Sequence, residues 1–352
     1  MMRKTVAPYQ NAFSNMKSLN RFISIILVYF AFATAVSCKR SVGAPYQIVT
    51  TFPKDTVLTG SRILAMNPRI GLIDISTVGN CILCTEKGVK YFFTLYDNSF
   101  NPLIQFGIKG RADNEYLAPL CEGGVSIGKD SIYISIFDRA ESILKGVIID
   151  KKSKTASVIS NYASKNDKTM DLRTLFMARD GSFFGISDKN DCKFFSCDSS
   201  FNNIEFENTI FPFGKEERVH EISQNESAAK PDMTKIAIAY YNFPQLEIRE
   251  ADGTIVKVIF IGKILKPQDV NKDNPTSYFE KIVTDEKNIY ALFDDPDDKT
   301  YSSILAFGWN GEPKARYRVL KSTSFTILGN NIITINDDQT GAICSSYTFQ
   351  KP

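Results

Sequence analysis

The sequence predicts an all-β chain folded as a ring of six four-stranded blades, and three observations carry that prediction. Short β-branched and aromatic runs recur between turn residues after residue 38, with no long apolar segment of 3.6-residue period among them. One kind of run, an apolar strand just after a turn, returns near Ile82, Ile134, Gly185, Ala237, Tyr290 and Ile333, at intervals of 52, 51, 52, 53 and 43 residues. A turn built on Asp97-Asn98, Asp150-Lys151, Asp198-Ser199, Asp252-Gly253 and Asn310-Gly311 returns in phase with it. A period of this length holding about four strands is the mark of a β-propeller blade.

In chain order, the first element is an export signal. Residues 1–37 hold four basic residues, Arg3, Lys4, Lys17 and Arg21, and no acidic one, while residues 22–36 carry no charge. Lys17 and Arg21 form an n-region, and the apolar run behind them is too short to cross a bilayer comfortably as a helix. It ends Ala35-Val36-Ser37-Cys38, small residues before a cysteine, which is the pattern of a lipobox. Cys38 is therefore expected to carry the lipid and become the mature N-terminus, with 38–45 as a lipidated linker and 46–352 as the propeller. Two alternatives stand beside this one. Ala33-Thr34-Ala35 is also an A-x-A cleavage site that would release a soluble periplasmic protein, and Met16-Lys17 opens a compact signal that would leave residues 1–15 upstream of the true start.

The expected location is the cell envelope, on the outer membrane and facing the periplasm. Lys39-Arg40-Ser41 lacks the acidic residues associated with export to the surface, which stays open as the second orientation. Removing the four basic residues of the signal leaves 38 basic against 39 acidic residues, so the mature chain is nearly neutral. Nucleic-acid binding loses its electrostatic driving force.

The blades follow. The markers NCILCTE, SIYISIF, SFFGIS, KIAIAYY, NIYALF and NIITIN start at residues 80, 131, 182, 235, 288 and 331. The last repeat offers three strands, near Phe325 to Leu328, Ile332 to Ile335 and Ile343 to Phe349. A fourth strand, near Tyr46 to Thr51, is expected to close the ring by pairing the N-terminal segment with the C-terminal blade, which leaves few open sheet edges. Cys81 and Cys84 have C-x-x-C spacing but lie in a strand, where positions i and i+3 point to opposite faces. With one histidine in the chain, a structural zinc site would need four distant cysteines, so Cys81, Cys84, Cys121, Cys192, Cys197 and Cys344 read as small buried residues.

Phe106-Gly107-Ile108-Lys109-Gly110-Arg111-Ala112-Asp113-Asn114-Glu115-Tyr116 resembles the FG-x-x-G-x-GP-x-E-F segment of TolB-like six-bladed propeller lipoproteins of Bacteroidetes, departing from it at Ala112-Asp113, where that family has Gly-Pro. Lys230-Pro231-Asp232 with KIAIAYY, LEIREADGTIVK, and NIYALF followed by ILAFGWNGEP look like the same family. The resemblance spans nearly all of the mature chain and implies the fold and the lipid anchor. It supplies no catalytic residue.

Other motifs are weaker. Gly124-Val125-Ser126-Ile127-Gly128 matches the G-x-S-x-G nucleophile elbow, but it runs on into an alternating strand where the elbow needs a helix. Asp294-Asp295-Pro296-Asp297-Asp298 lacks the spacing of an EF-hand and reads as a solvated loop. Trp309 reads as a packing residue at a turn. No P-loop, G-x-G-x-x-G or H-E-x-x-H is present.

Blade topology singles out one face. The 2–3 loops and the connections between blades share it, and the long segments fall there, presenting Arg111, Glu115, Tyr116, His220, Tyr241, Tyr278 and Asp294. Two readings follow. The first is a non-enzymatic binding module for an envelope protein or a polar, carbohydrate-like ligand, without catalytic residues, metal or cofactor. The second is a calcium-dependent hydrolase or lactonase, which needs carboxylates converging on the central channel around one metal.

Overall fold

Each of the first five repeats becomes a sheet whose four antiparallel strands run outward from a central channel in chain order. The computed structural model describes residues 46–66, 71–163, 171–188, 193–207, 222–270, 273–338 and 341–352, so Cys38, Cys192, His220 and the signal segment lie outside the described residues. An N-terminal segment carries β1 (Tyr46–Val49), β2 (Asp55–Val57) and β3 (Gly60–Arg62). Blade 1 is β4 (Leu72–Val78), β5 (Cys81–Glu86), β6 (Tyr91–Tyr96) and β7 (Pro102–Lys109), with the short β8 (Glu115–Tyr116) added beside β7. Blade 2 is β9 (Pro119–Ile127), β10 (Ser131–Asp138), β11 (Ile143–Asp150) and β12 (Thr155–Ala163), and blade 3 is β13 (Leu172–Met177), β14 (Phe183–Ser187), β15 (Lys193–Cys197) and β16 (Glu205–Glu207). Blade 4 is β17 (Asn225–Ala229), β18 (Lys235–Tyr240), β19 (Gln245–Glu250) and β20 (Ile255–Ile261). Blade 5 is β21 (Phe279–Thr284), β22 (Asn288–Phe293), β23 (Tyr301–Gly308) and β24 (Pro313–Leu320). Blade 6 joins β25 (Ser324–Leu328), β26 (Asn331–Asp338) and β27 (Gly341–Thr348) to β3. The result is a six-bladed β-propeller.

The marker strands of the sequence are the second strands of the blades, and several of them lack alternation for a physical reason. A second strand is covered on both flanks, so every residue of β5, β14 and β22 is buried. The core is accordingly a set of wedges between neighbouring blades, among them one of Val78, Phe93 and Ile134 between blades 1 and 2 and one of Leu246, Phe279 and Phe307 between blades 4 and 5. Cys81 lies in the first of these and Cys84 in the wedge between blades 6 and 1, so the two side chains point to opposite faces of β5. The in-phase turns join third to fourth strands. In them Asp150 Oδ1 accepts from the backbone N–H of Ser153 and Lys152 at 3.0 and 2.8 Å, and Asp198 Oδ1 from those of Asn202 and Ser200 at 2.9 and 2.8 Å. These bonds hold both carboxyls below the usual range. Trp309 is buried between blades 4 and 5 and donates from Nε1 to the Asp285 carbonyl at 3.0 Å.

The N-terminal segment does close the ring, but with a different strand from the one expected. β3 pairs antiparallel with β27, Gly60 opposite Tyr347 and Arg62 opposite Ser345. Tyr46–Val49 instead runs parallel to β20 on the outer edge of blade 4, and β2 runs parallel to β24 on the outer edge of blade 5. The local chemistry explains why closure falls at residue 60. A Cβ on Gly60 would lie 2.4 Å from the buried Tyr347 ring, so only glycine lets the two strands approach.

The segment 106–116 is a closure device of blade 1. Phe106 stacks on Phe93 at 5.1 Å, and Tyr116 meets the same ring edge-on at 5.7 Å. Gly107 has φ +75° and faces the Phe93 and Tyr116 rings, which leave no room for a side chain. Glu115 Oε2 accepts from the Ala112 N–H at 2.9 Å, and Lys145 Nζ donates to the carbonyls of Asp113 and Glu115 at 3.0 and 2.7 Å.

Candidate functional site

The six first strands, β4, β9, β13, β17, β21 and β25, surround the channel and start on the long-loop face. Pure alternation would send every second side chain into a wedge. Four of the strands break it with a one-residue bulge: the pairing of β4, β9, β13 and β21 with their second strands skips Ile73, Glu122, Arg173 and Glu280. A bulge re-aims the side chains around it. Asp74, Glu122, Glu226 and Lys281, from four different blades and all in the halves of their strands nearest the long loops, then line one end of a channel cavity of about 560 Å³ that runs on to Gly79, Ser126, Pro231, Glu286 and Gly329 at the tight-turn end. Most pockets that take small molecules are of this size.

The charges are partly tied. The Lys281 ammonium donates to the Asp74 carboxylate and to the Ile75 carbonyl, and Ser324 Oγ donates to Asp74 Oδ1 at 2.6 Å. Arg173 Nε and Arg139 Nη2 hold Asp188 at 2.6 and 3.1 Å, and Arg173 also donates to the Asn225 carbonyl at 3.1 Å. The Tyr241 hydroxyl donates to Glu226 Oε1. Glu122 and Glu226 remain the strained pair. Burial, and then the charge of Glu226, push the Glu122 carboxyl well above the ordinary range against the pull of Arg139. Burial raises Glu226 too, against the Tyr241 hydrogen bond and Arg173. Beside them burial pushes the Cys121 thiol up to about 12. This end of the channel therefore holds two carboxyls that take up protons readily, one of them beside the Tyr241 hydroxyl.

Calcium does not fit this donor set. Asp74 already has an ammonium and a hydroxyl on it, and Glu226 has a phenol. Among the described residues no three His, Cys, Asp or Glu side chains come together closely enough to hold one ion.

Of the loop-face residues singled out in the sequence, Tyr241 reaches the channel mouth, through its bond to Glu226. Tyr116 and Tyr278 are core rings, 1% and 7% exposed, because the strands next to the long loops are already inside the wedges. Tyr278 stacks on Phe293 at 6.1 Å and lines a separate cleft of about 360 Å³ between blades 4 and 5. Glu115 is spent on its own loop, and the exposed Arg111 pairs with Glu141 at 3.4 Å. Asp294 pairs with Lys321 at 3.1 Å, and its neighbours are turned outward into turn hydrogen bonds, such as those from Thr300 and Tyr301 to Asp298. Ser126 sits on β9 with no helix behind it, so no nucleophile elbow forms.

Sequence reasoning missed Asp74, Glu122, Arg173, Glu226 and Lys281. The signal was a charged residue in the strand just before five of the six markers, in Leu72-Ile73-Asp74, Leu120-Cys121-Glu122, Leu172-Arg173-Thr174, Asn225-Glu226-Ser227 and Phe279-Glu280-Lys281.

No known family profile matches the chain, and no curated protein matches it. Similar solved structures include a member of the DUF4221 family from Bacteroides vulgatus, at 10% identity and a TM-score of 0.47, covering 80% of this chain and 96% of that one. They also include the calcium-binding protein regucalcin from Agrobacterium tumefaciens, at 11% identity and a TM-score of 0.47, covering 84% and 97%. A third, a protein of unknown function from Bacteroides thetaiotaomicron, has 10% identity and a TM-score of 0.46, covering 84% and 75%. At these identities and scores the similarity bears on neither ligand nor reaction, and the propeller rests on the strand pairing itself.

Proposed function

We propose that this chain is a lipid-anchored, extracytoplasmic binding module that takes a small polar, carbohydrate-like ligand at the long-loop mouth of its central channel. One observation carries the reading: four blades converge charged side chains on one end of a ligand-sized channel, three of them through bulges that break the regular strand pattern. Regular strands would fold the ring without them. Carboxyls that readily hold a proton, one of them beside the Tyr241 hydroxyl, suit a ligand rich in hydroxyl groups. Anchoring through Cys38 and the TolB-like resemblance belong to the same reading, because a signal of this kind delivers a chain to the envelope, where glycans are abundant. On this reading neither calcium nor a nucleophile takes part.

The test is a thermal-shift screen of mono- and oligosaccharides, run together with elemental analysis of the purified protein. The expected result is a saccharide that raises Tm in wild type and fails to do so in Glu122→Gln/Glu226→Gln, with no stoichiometric calcium. Stoichiometric calcium, lost together with the saccharide shift on chelation, would favour the hydrolase reading instead.

A further inference from the structure

We infer that the outer edge of blades 4 and 5, where the N-terminal segment lies, is the side this molecule turns to a lipid bilayer. The inference rests on the lipid-anchored reading above and adds an orientation to it. β1 and β2 pin the segment along the outer strands of these two blades before β3 closes blade 6. Tyr46, the first described residue, lies eight residues beyond Cys38. Eight residues span at most about 29 Å when fully extended. A four-stranded sheet puts its outer edge about 15 Å beyond its inner strand, so the far rim stands at least about 30 Å, plus the width of the channel, from the edge that holds β1. An acyl group on Cys38 therefore holds the rim of blades 4 and 5 within about 29 Å of the bilayer and prevents the rim of blades 1 and 2 from resting on it.

The surface of that rim matches its neighbour. Tyr46, Ile48 and Val57 are 54%, 49% and 54% exposed, and Leu320, on the strand that β2 joins, is 53% exposed. Tyrosine suits the interface of a bilayer, where its ring enters the apolar side and its hydroxyl stays wet. The Asp55–Arg318 ion pair at 2.8 Å lies among these side chains and is placed for the headgroup level. Lys39-Arg40, next to the acylated cysteine, adds attraction to anionic lipid. With this edge down, the channel axis runs along the membrane plane, and the long-loop mouth opens sideways into water.

The experiment uses the full-length acylated protein on vesicles of phosphatidylethanolamine and phosphatidylglycerol whose acyl chains carry bromine. Tryptophan is introduced singly as Ile48→Trp or Val57→Trp, and on the rims of blades 2 and 3 as Ile159→Trp or Phe206→Trp, over the constant background of buried Trp309. Loss of emission at the first pair but not the second is the expected result. Equal loss at all four positions, loss at the second pair alone, or no loss in protein that floats with the vesicles would overturn the orientation. A protein that sediments as a dimer until Ile48→Asp is introduced would assign this rim to a second copy, and also overturn it. The anchor is read separately: mass spectrometry showing no acyl group on Cys38 removes the anchored reading, and the orientation with it.

Discussion

Lys281 shows how the channel mouth tolerates so many carboxylates. Its ammonium serves Asp74 and the Ile75 carbonyl together, and Ser324 completes the acceptor. Replacing it as Lys281→Met leaves a half-buried carboxylate without its cation, so unfolding in urea should show a loss of about 1–3 kcal/mol. Adding Asp74→Asn should restore most of it, because the orphaned charge is then gone. Glu122 behaves in the opposite sense. Its carboxyl is raised in the folded protein, so it costs no stability while both folded and unfolded forms are protonated, and costs progressively more as pH rises past the ordinary carboxylate value. Glu122→Gln should therefore have a higher Tm than wild type at neutral pH, and the difference should vanish in acid below that value. Melting curves over pH check this, and a difference of the same size at every pH would contradict it.

At the scale of the element, the strand that closes the ring is the most exacting. β3 has three residues, and Gly60 sits against the Tyr347 ring. Gly60→Ala should cost about 1–3 kcal/mol by overpacking, while Ser61→Ala, on an exposed position of the same strand, should be near neutral. Denaturant unfolding of the two variants compares them directly. Elements of this kind were legible in the sequence to different degrees, for physical reasons. The second strands stood out because both their flanks are covered, which makes NIYALF and KIAIAYY apolar without alternation after their first residue. The closing strand did not, because Gly60-Ser61-Arg62 has no apolar pattern, whereas Tyr46-Gln47-Ile48-Val49 has one and draws the eye to the wrong segment. The channel residues were hidden by the bulges: one skipped residue reverses the faces of a strand, so alternation alone sends Glu122 or Arg173 the wrong way. Tyr116 and Tyr278 misled for the complementary reason. They adjoin long loops in the chain, but their rings belong to the wedges, where aromatic area is most useful.

The described residues form a closed ring of sheets, stiffened by apolar wedges between the blades, with charged side chains from four blades meeting at its axis. Such a scaffold holds groups from different blades at fixed separations, so a ligand bound at the channel mouth meets preorganised partners and loses little affinity to ordering them. The fold was readable from its repeat. The site needed three dimensions, since its residues are about fifty positions apart in the chain and meet only across the channel. Calorimetric titration of the best saccharide from the screen into wild type, Glu122→Gln/Glu226→Gln, and Lys151→Ala or Ser199→Ala on the tight-turn face tests the central claim most directly. Binding of one ligand per chain, weakened at least about tenfold, or about 1.4 kcal/mol, in the channel variant and unchanged in the tight-turn variants, is the predicted result. Equal affinity in all of them would place the ligand elsewhere and contradict the account.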